Sequence, residues 1–333
     1  MPSESLLTRR RLLQSSAAAG AALLAGCGET TPGTPTPGAT GTPTQDGTAT
    51  PGDGGFTRVG VPVGNDEVAM MVSRASLQQQ FAGRRPADGN RFVVCFFTVK
   101  NRTADTFLPA DGFESFTLET GGGQRYERRS IPVEPAMQFQ AGLVAPGEVV
   151  RGYVVFEAPA DVSEPVLDVD LDFEGLSRDE AQFALSRRAD DVASIEQSLS
   201  VPVHDVGESV TGDRVSVAVT DFRTTDSVGD VRSGEDTTFA IPSVRVRNDT
   251  DEDFTLVVPG PLLLKNARGE VFTTNIEAQG VLENPIPWNV QVPAGEHLDG
   301  DLPFTVPTGV SPLYFVADLH MLDAGDRYFW QVA

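Results

Sequence analysis

Two separated stretches of this chain are each written twice. FVVCFFTVKNRTADTF, Phe92 to Phe107, returns as FAIPSVRVRNDTDEDF, Phe239 to Phe254; Phe92, Val99, Asn101, Thr103 and Phe107 are matched by Phe239, Val246, Asn248, Thr250 and Phe254. VAPGEVVRGYVVFEAP, Val144 to Pro159, returns as VPAGEHLDGDLPFTVP, Val292 to Pro307, and Gly147, Glu148, Gly152, Phe156 and Pro159 recur without a gap as Gly295, Glu296, Gly300, Phe304 and Pro307. Two blocks repeating at nearly the same spacing identify a tandem duplication, so any fold proposed for one copy must also suit the other.

Aligning the copies indicates which side chains face inward. Phe97 and Val99 align with Val244 and Val246, while Thr98 and Lys100 align with Arg245 and Arg247. Apolar and polar residues thus alternate with the two-residue period of a half-buried strand. Cys95 falls on the apolar face and reads as a small buried hydrophobe. The same alternation runs through VLDVDLDF, Val166 to Phe173, and RVSVAVTDF, Arg214 to Phe222. The one helical candidate is EAQFALSRRADDVASIEQSL, Glu180 to Leu199, part of which is expected to be interdomain link. Turns such as TGGGQ (Thr120–Gln124) and NARGE (Asn266–Glu270) divide each copy into about seven short strands, the density of an antiparallel β-sandwich. The expected fold class is all-β: immunoglobulin-like sandwiches at residues 56–186 and 201–333, two beads joined by a link at 187–200.

Ahead of the repeats, TRRRLLQ (Thr8–Gln14) sets Arg9 and Arg10 before Leu12, Leu13 and a weakly apolar run that is too short to span a bilayer, which takes about 20 residues. This resembles the twin-arginine export signal. The tetrad Leu24, Ala25, Gly26, Cys27 resembles the lipobox of lipoprotein precursors, which implies removal of residues 1–26 and lipidation of Cys27. One lipid chain binds a membrane only marginally, so stable anchoring takes a second attachment. Residues 27–55 are mostly Thr, Pro and Gly. That composition cannot offset its ordering entropy and is expected to form a disordered stalk on the outer face of the cell membrane.

The chain carries 47 acidic against 25 basic residues, a formal net charge of -22, and only Lys100 and Lys265 are lysine. Such a polyanion is a poor nucleic-acid binder. Acid excess with scarce lysine fits a surface kept hydrated in concentrated salt, so an extreme halophile is the expected source. With Cys27 at the lipid and only Cys95 besides, an intrachain disulfide framework is excluded.

Few residues point to chemistry. His204, His297 and His320 form no close pair with another His or Cys in sequence, and His320–Met321 alone is half of a copper site at most. No nucleophile elbow, phosphate loop or zinc-protease helix occurs. Asp168, Asp170 and Asp172 alternate along a strand and read as a solvated acidic face, since an EF-hand would need glycine and glutamate where Phe173 and Asp179 stand. Asn101-Arg102-Thr103 and Asn248-Asp249-Thr250 are N-glycosylation sequons at equivalent places; the alternative is that they shape turns. Trp288, in IPWNV (Ile286–Val290), either covers the core or marks an apolar contact surface. No catalytic residue, metal site or cofactor is assigned. The expected partners are the membrane, through Cys27, and an envelope protein. The expected function is non-enzymatic binding or envelope support, with capture of a small solute or ion as the rival and hydrolysis a distant third.

DVGESV (Asp205–Val210) before a strand, Val246–Asn248 closing a long strand, then Gly295–Pro307 with its P-A-G-E turn, resemble the domain-of-unknown-function 4352 family; Val99–Asn101 and Gly147–Pro159 carry the likeness in the first copy. The resemblance implies an immunoglobulin-like fold in secreted or lipid-anchored prokaryotic proteins. It implies no catalytic residues.

Overall fold

The structure, a computed structural model, describes residues 55–109, 116–131, 142–170, 180–258 and 260–333. The described residues all belong to one compact unit. Cys27, Arg9, Arg10 and the stalk lie outside the described residues, as do Asp172 and Glu174.

The first copy contains β1 (Thr57–Val59), β2 (Val63–Gly64), β3 (Val68–Gln78), β4 (Asn90–Asn101), β5 (Leu108–Pro109), β6 (Phe116–Glu119), β7 (Arg125–Glu127), β8 (Leu143–Val144), β9 (Val149–Pro159), β10 (Val166–Asp170) and β11 (Glu180–Arg188). They build sheets ordered β2-β3-β4-β9 and β1-β11-β10-β6-β7, with β5-β8 as a small extra ladder. The inward residues of both sheets meet in one core, where Phe97 packs edge-on against Phe116 and Phe183 at 5.1 and 5.9 Å. Cys95 lies in that core, fully buried, and burial pushes its thiol up to about 12.

The second copy contains β12 (Val203–His204), β13 (Ser209–Thr211), β14 (Val215–Thr225), β15 (Ser227–Val228), β16 (Val231–Arg232), β17 (Thr237–Asn248), β18 (Phe254–Val257), β19 (Leu262–Asn266), β20 (Val271–Phe272), the short helix α1 (Ile276–Gln279), β21 (Asn289–Val292), β22 (His297–Asp301), β23 (Phe304–Pro307), β24 (Leu313–Asp318) and β25 (Arg327–Gln331). One sheet runs β13-β14-β17-β22 with β23 also on β17, the other β12-β25-β24-β19-β20. In each copy the first strand pairs parallel with the last, β1 with β11 and β12 with β25, and the other ladders are antiparallel. The fold is therefore two tandem β-sandwiches.

The duplication extends to hydrogen bonds. Ser73 is bulged out of the β3–β4 register and donates to Phe96 O; Thr220 is bulged out of β14–β17 and donates to Ser243 O. Each bulge bends a long strand at the same point. Asn101 is buried, donates Nδ2 to Thr106 O and Val144 O, and accepts through Oδ1 from Thr103; Asn248 repeats the set with Glu252 O, Val292 O and Thr250. As folded, neither amide has a free hydrogen or an exposed face for a sugar. The recurring N-x-T thus has a structural role in both copies, tying the turn that follows the long strand.

Two expectations change. Glu180–Leu199 is not helical: β11 occupies Glu180–Arg188, with Ala181 and Phe183 inward, and an extended link follows. Nor are the sandwiches separate beads. The link runs across the outer face of the first sheet, where Ile195 packs on Met71 and Val149 and its carbonyl accepts from Arg151. On that sheet face Thr98 and Lys100 are buried, whereas their counterparts Arg245 and Arg247 are exposed.

Candidate functional site

Glu148, in the P-G-E turn of the first sandwich, is fully buried against the second. Its Oε1 accepts from Lys265 Nζ at 2.5 Å and Arg327 Nη2 at 2.8 Å, and its Oε2 from Ala145 N at 2.9 Å. Lys265 also donates to Val149 O at 2.7 Å. Arg327 Nη1 reaches Asp318 Oδ2 at 2.9 Å, and that oxygen accepts from Leu143 N of the first sandwich at 3.2 Å. The junction therefore holds two cations and two carboxylates with no net charge. Burial raises the Glu148 carboxyl, but Arg327 and Lys265 outweigh it and hold it below its ordinary range. Burial pushes Asp318 above its ordinary value, and Arg327 offsets only part of this. Burial lowers Lys265 to about 8 despite Glu148. Around the charges, Ala145 packs with Leu263, Val316 and Phe329.

The copies explain why only one sheet receives a partner. Leu264, Phe315 and Trp330 pair across β19, β24 and β25 as Leu118, Leu167 and Phe183 do across β6, β10 and β11. On that register the outward positions Leu263, Val316 and Phe329 correspond to Thr117, Asp168 and Gln182, and Lys265 corresponds to Glu119. The second sandwich is apolar and cationic where it is covered; the first is polar where it meets solvent. Asp168, partly exposed, and Asp170, exposed, thus lie on a solvated sheet face.

The same strand β19 that carries Lys265 forms one wall of an apolar cleft of about 670 Å³. Leu262 and Leu263 on β19, Val271 and Phe272 on β20, Trp288 and Phe304 supply its apolar surface; Thr273, Thr274, Asn275, Thr305 and Glu277 supply polar groups. The wall is held by backbone pairing: Asn275 N donates to Pro303 O at 2.7 Å and Thr305 N to Thr273 O at 3.3 Å. Asn275 then caps α1, its Oδ1 accepting from Ala278 N at 2.8 Å. This leaves Ile276 at the rim, 69% exposed. The loop bearing Trp288 is fixed by Val258 N donating to Trp288 O, and Trp288 itself is half-buried. The hydroxyl of Thr274 is buried without a hydrogen-bond partner among the described residues. An apolar cavity with a few fixed polar groups suits a small molecule.

Of the residues singled out from sequence, Trp288 is in the cleft and Glu148 is in the junction, while the histidines stand apart. His204 packs on Trp330 and pairs with Glu208 at 3.6 Å, His297 pairs with Asp299 at 3.4 Å, and His320 is exposed on a 3-10 turn at Leu319–Leu322. Among the described residues no three His, Cys, Asp or Glu side chains converge on a common point, and no helix is long and apolar enough to cross a membrane. Sequence reasoning missed Lys265, Asp318 and Arg327. The signal for them was the mismatch between copies at Leu263, Val316 and Phe329.

No curated protein matches the chain in sequence. Among solved structures it is similar to the yjhA protein of Bacillus subtilis, at 15% identity over 39% of this chain and 100% of that one, with a TM-score of 0.32. It is also similar to ycdA of Bacillus subtilis, classed as a candidate lipoprotein, at 13% identity over 38% of this chain and 39% of that one, with a TM-score of 0.29. A β-sandwich protein from Clostridium difficile 630 matches at 9% identity over 42% of this chain and 100% of that one, with a TM-score of 0.28. The family model described as Domain of unknown function (DUF4352) matches residues 57–178 and again 204–326. Two matches, one per sandwich and together spanning more than half of the sequence, place this chain in the DUF4352 family as a tandem member.

Proposed function

We propose that the chain is an exported, lipid-anchored, non-enzymatic binding protein of the cell surface, which takes a small apolar molecule in the cleft of its second sandwich. The observation that carries the binding reading is the cleft around Trp288, with a volume in the range of small-molecule sites. Export and anchoring rest on the order of the N-terminal features: arginine pair at Arg9 and Arg10, short apolar run, Cys27, then a polar stalk. The locked junction supports the same reading, because it holds the cleft-bearing sandwich in a fixed place against the first.

The chain has two tryptophans, and Trp330 is fully buried, so changes on ligand addition report mainly Trp288. Titration with N-phenyl-1-naphthylamine, a neutral apolar fluorophore, should give saturable energy transfer from Trp288 that weakens at least tenfold in Ile276→Asp and Phe272→Ala. Non-saturating transfer, or transfer unchanged in both variants, would overturn the binding reading. Anchoring is read separately: Cys27→Ser should move the protein from the membrane fraction to the medium.

A further inference from the structure

The A-P-G-E turn of the first copy is seated and the P-A-G-E turn of the second is bare, although the two share a backbone frame; Ala145 N holds the Glu148 carboxylate, a bond that Pro293 cannot make. Asn101 N donates to Glu148 O at 3.0 Å and Glu148 N to Ala145 O at 2.9 Å; Asn248 N donates to Glu296 O at 2.9 Å and Glu296 N to Pro293 O at 3.1 Å. Gly147 and Gly295 share a left-handed backbone, φ 81° and 72°. A Cβ at Gly147 would lie 1.9 Å from Ser198 O in the link, while one at Gly295 would meet nothing within 4 Å. Glu148 is fully buried and ion-paired; Glu296 is exposed, as are Pro293 and His297 beside it.

We propose that Pro293–Glu296 is a second seating tip, and that its partner is a β-sheet face on a different protein, apolar at its centre and flanked by a Lys/Arg pair. The chain itself supplies the template: Leu263, Val316 and Phe329 flanked by Lys265 and Arg327, on which the first tip already sits. A second copy of this chain does not fit. Its sandwich-2 face is occupied by its own first tip. Its sandwich-1 face presents Thr117, Asp168 and Gln182 in place of the apolar centre, with Glu119 and Glu180 at the register positions of Lys265 and Arg327. Glu296 would there face Asp168 at the centre and, at the place of Lys265, Glu119 paired with Arg125; a like charge without an apolar seat costs affinity and selects against the contact.

The test gives the full chain the missing face on its own first sandwich, through Thr117→Leu, Glu119→Lys, Asp168→Val, Glu180→Arg and Gln182→Phe. Sedimentation at fixed salt should show head-to-tail association of the exchanged chain at concentrations at least tenfold below any self-association of the native chain. Adding Glu296→Lys should abolish that association. A folded exchanged chain that sediments like the native one would overturn the proposal, as would association that persists with Glu296→Lys. Native chains that associate through Glu296 would overturn the exclusion of self-pairing. Should the fivefold exchange fail to fold, Glu119→Lys with Asp168→Asn, both at partly exposed positions outside the core, gives the same comparison with weaker association.

Discussion

At the residue scale, Glu148 and Glu296 are the same motif position with opposite surroundings. Glu148→Ala leaves Lys265 and Arg327 buried without their shared anion and should cost about 3–5 kcal/mol, whereas Glu296→Ala, at an exposed turn, should stay within about 0.5 kcal/mol. Denaturant unfolding at constant salt checks both. The pH dependence has a defined sign. Glu148 is held below its ordinary range, so its contribution is present above the unfolded value of 4.5 and is lost as pH falls through the folded value. Asp318 is shifted upward and opposes this, since its folded form gains the proton first. Acid destabilisation should therefore be steeper in Asp318→Asn than in the native chain and shallower in Glu148→Gln. Lys265, lowered to about 8 from 10.5, binds its proton less readily folded than unfolded. Stability should accordingly rise with pH across that window, and Lys265→Met should remove the rise.

Among the elements, the strands with a core on one side were legible and the segment from Glu180 to Leu199 was not. β4 and β17 advertise themselves through β-branched and aromatic residues at every second place, and their inward residues are buried as expected. β11 is short in such residues; its Ala, Leu and Arg suit a helix locally, and pairing with β10 and β1 overrides that preference. The polar face of β4 illustrates the other limit. Thr98 and Lys100 alternate as a solvent face should, yet both are buried on the face that the link crosses. The turns also separate by context. Gly295→Ala should cost only the left-handed backbone, about 1–2 kcal/mol, while Gly147→Ala must in addition displace the link at Ser198. The expected result is a much larger fall in melting temperature for Gly147→Ala, with an increased radius of gyration in X-ray scattering.

For the whole molecule, the buried charges and the Ala145, Leu263, Val316 and Phe329 contact couple two sandwiches that each have their own core. Calorimetry of the native chain should show one cooperative transition for both. Glu148→Lys, which sets three cations together, should divide it into two, because each sandwich retains its core once the junction opens. One transition in both proteins would mean that the link alone couples them. The repeat, the alternation of side chains and the turn residues determined by themselves that this chain makes two β-sandwiches, because a strand's burial pattern and a turn's backbone needs are local and are written at consecutive positions. Only the tertiary structure decided that Glu148 is an interior ion while Glu296 is a surface one, that both lysines are buried, and that Trp288 stands in a cleft. Those outcomes depend on which faces meet across more than a hundred residues of chain, as Glu148 with Lys265 and Arg327, and no local pattern records such a meeting.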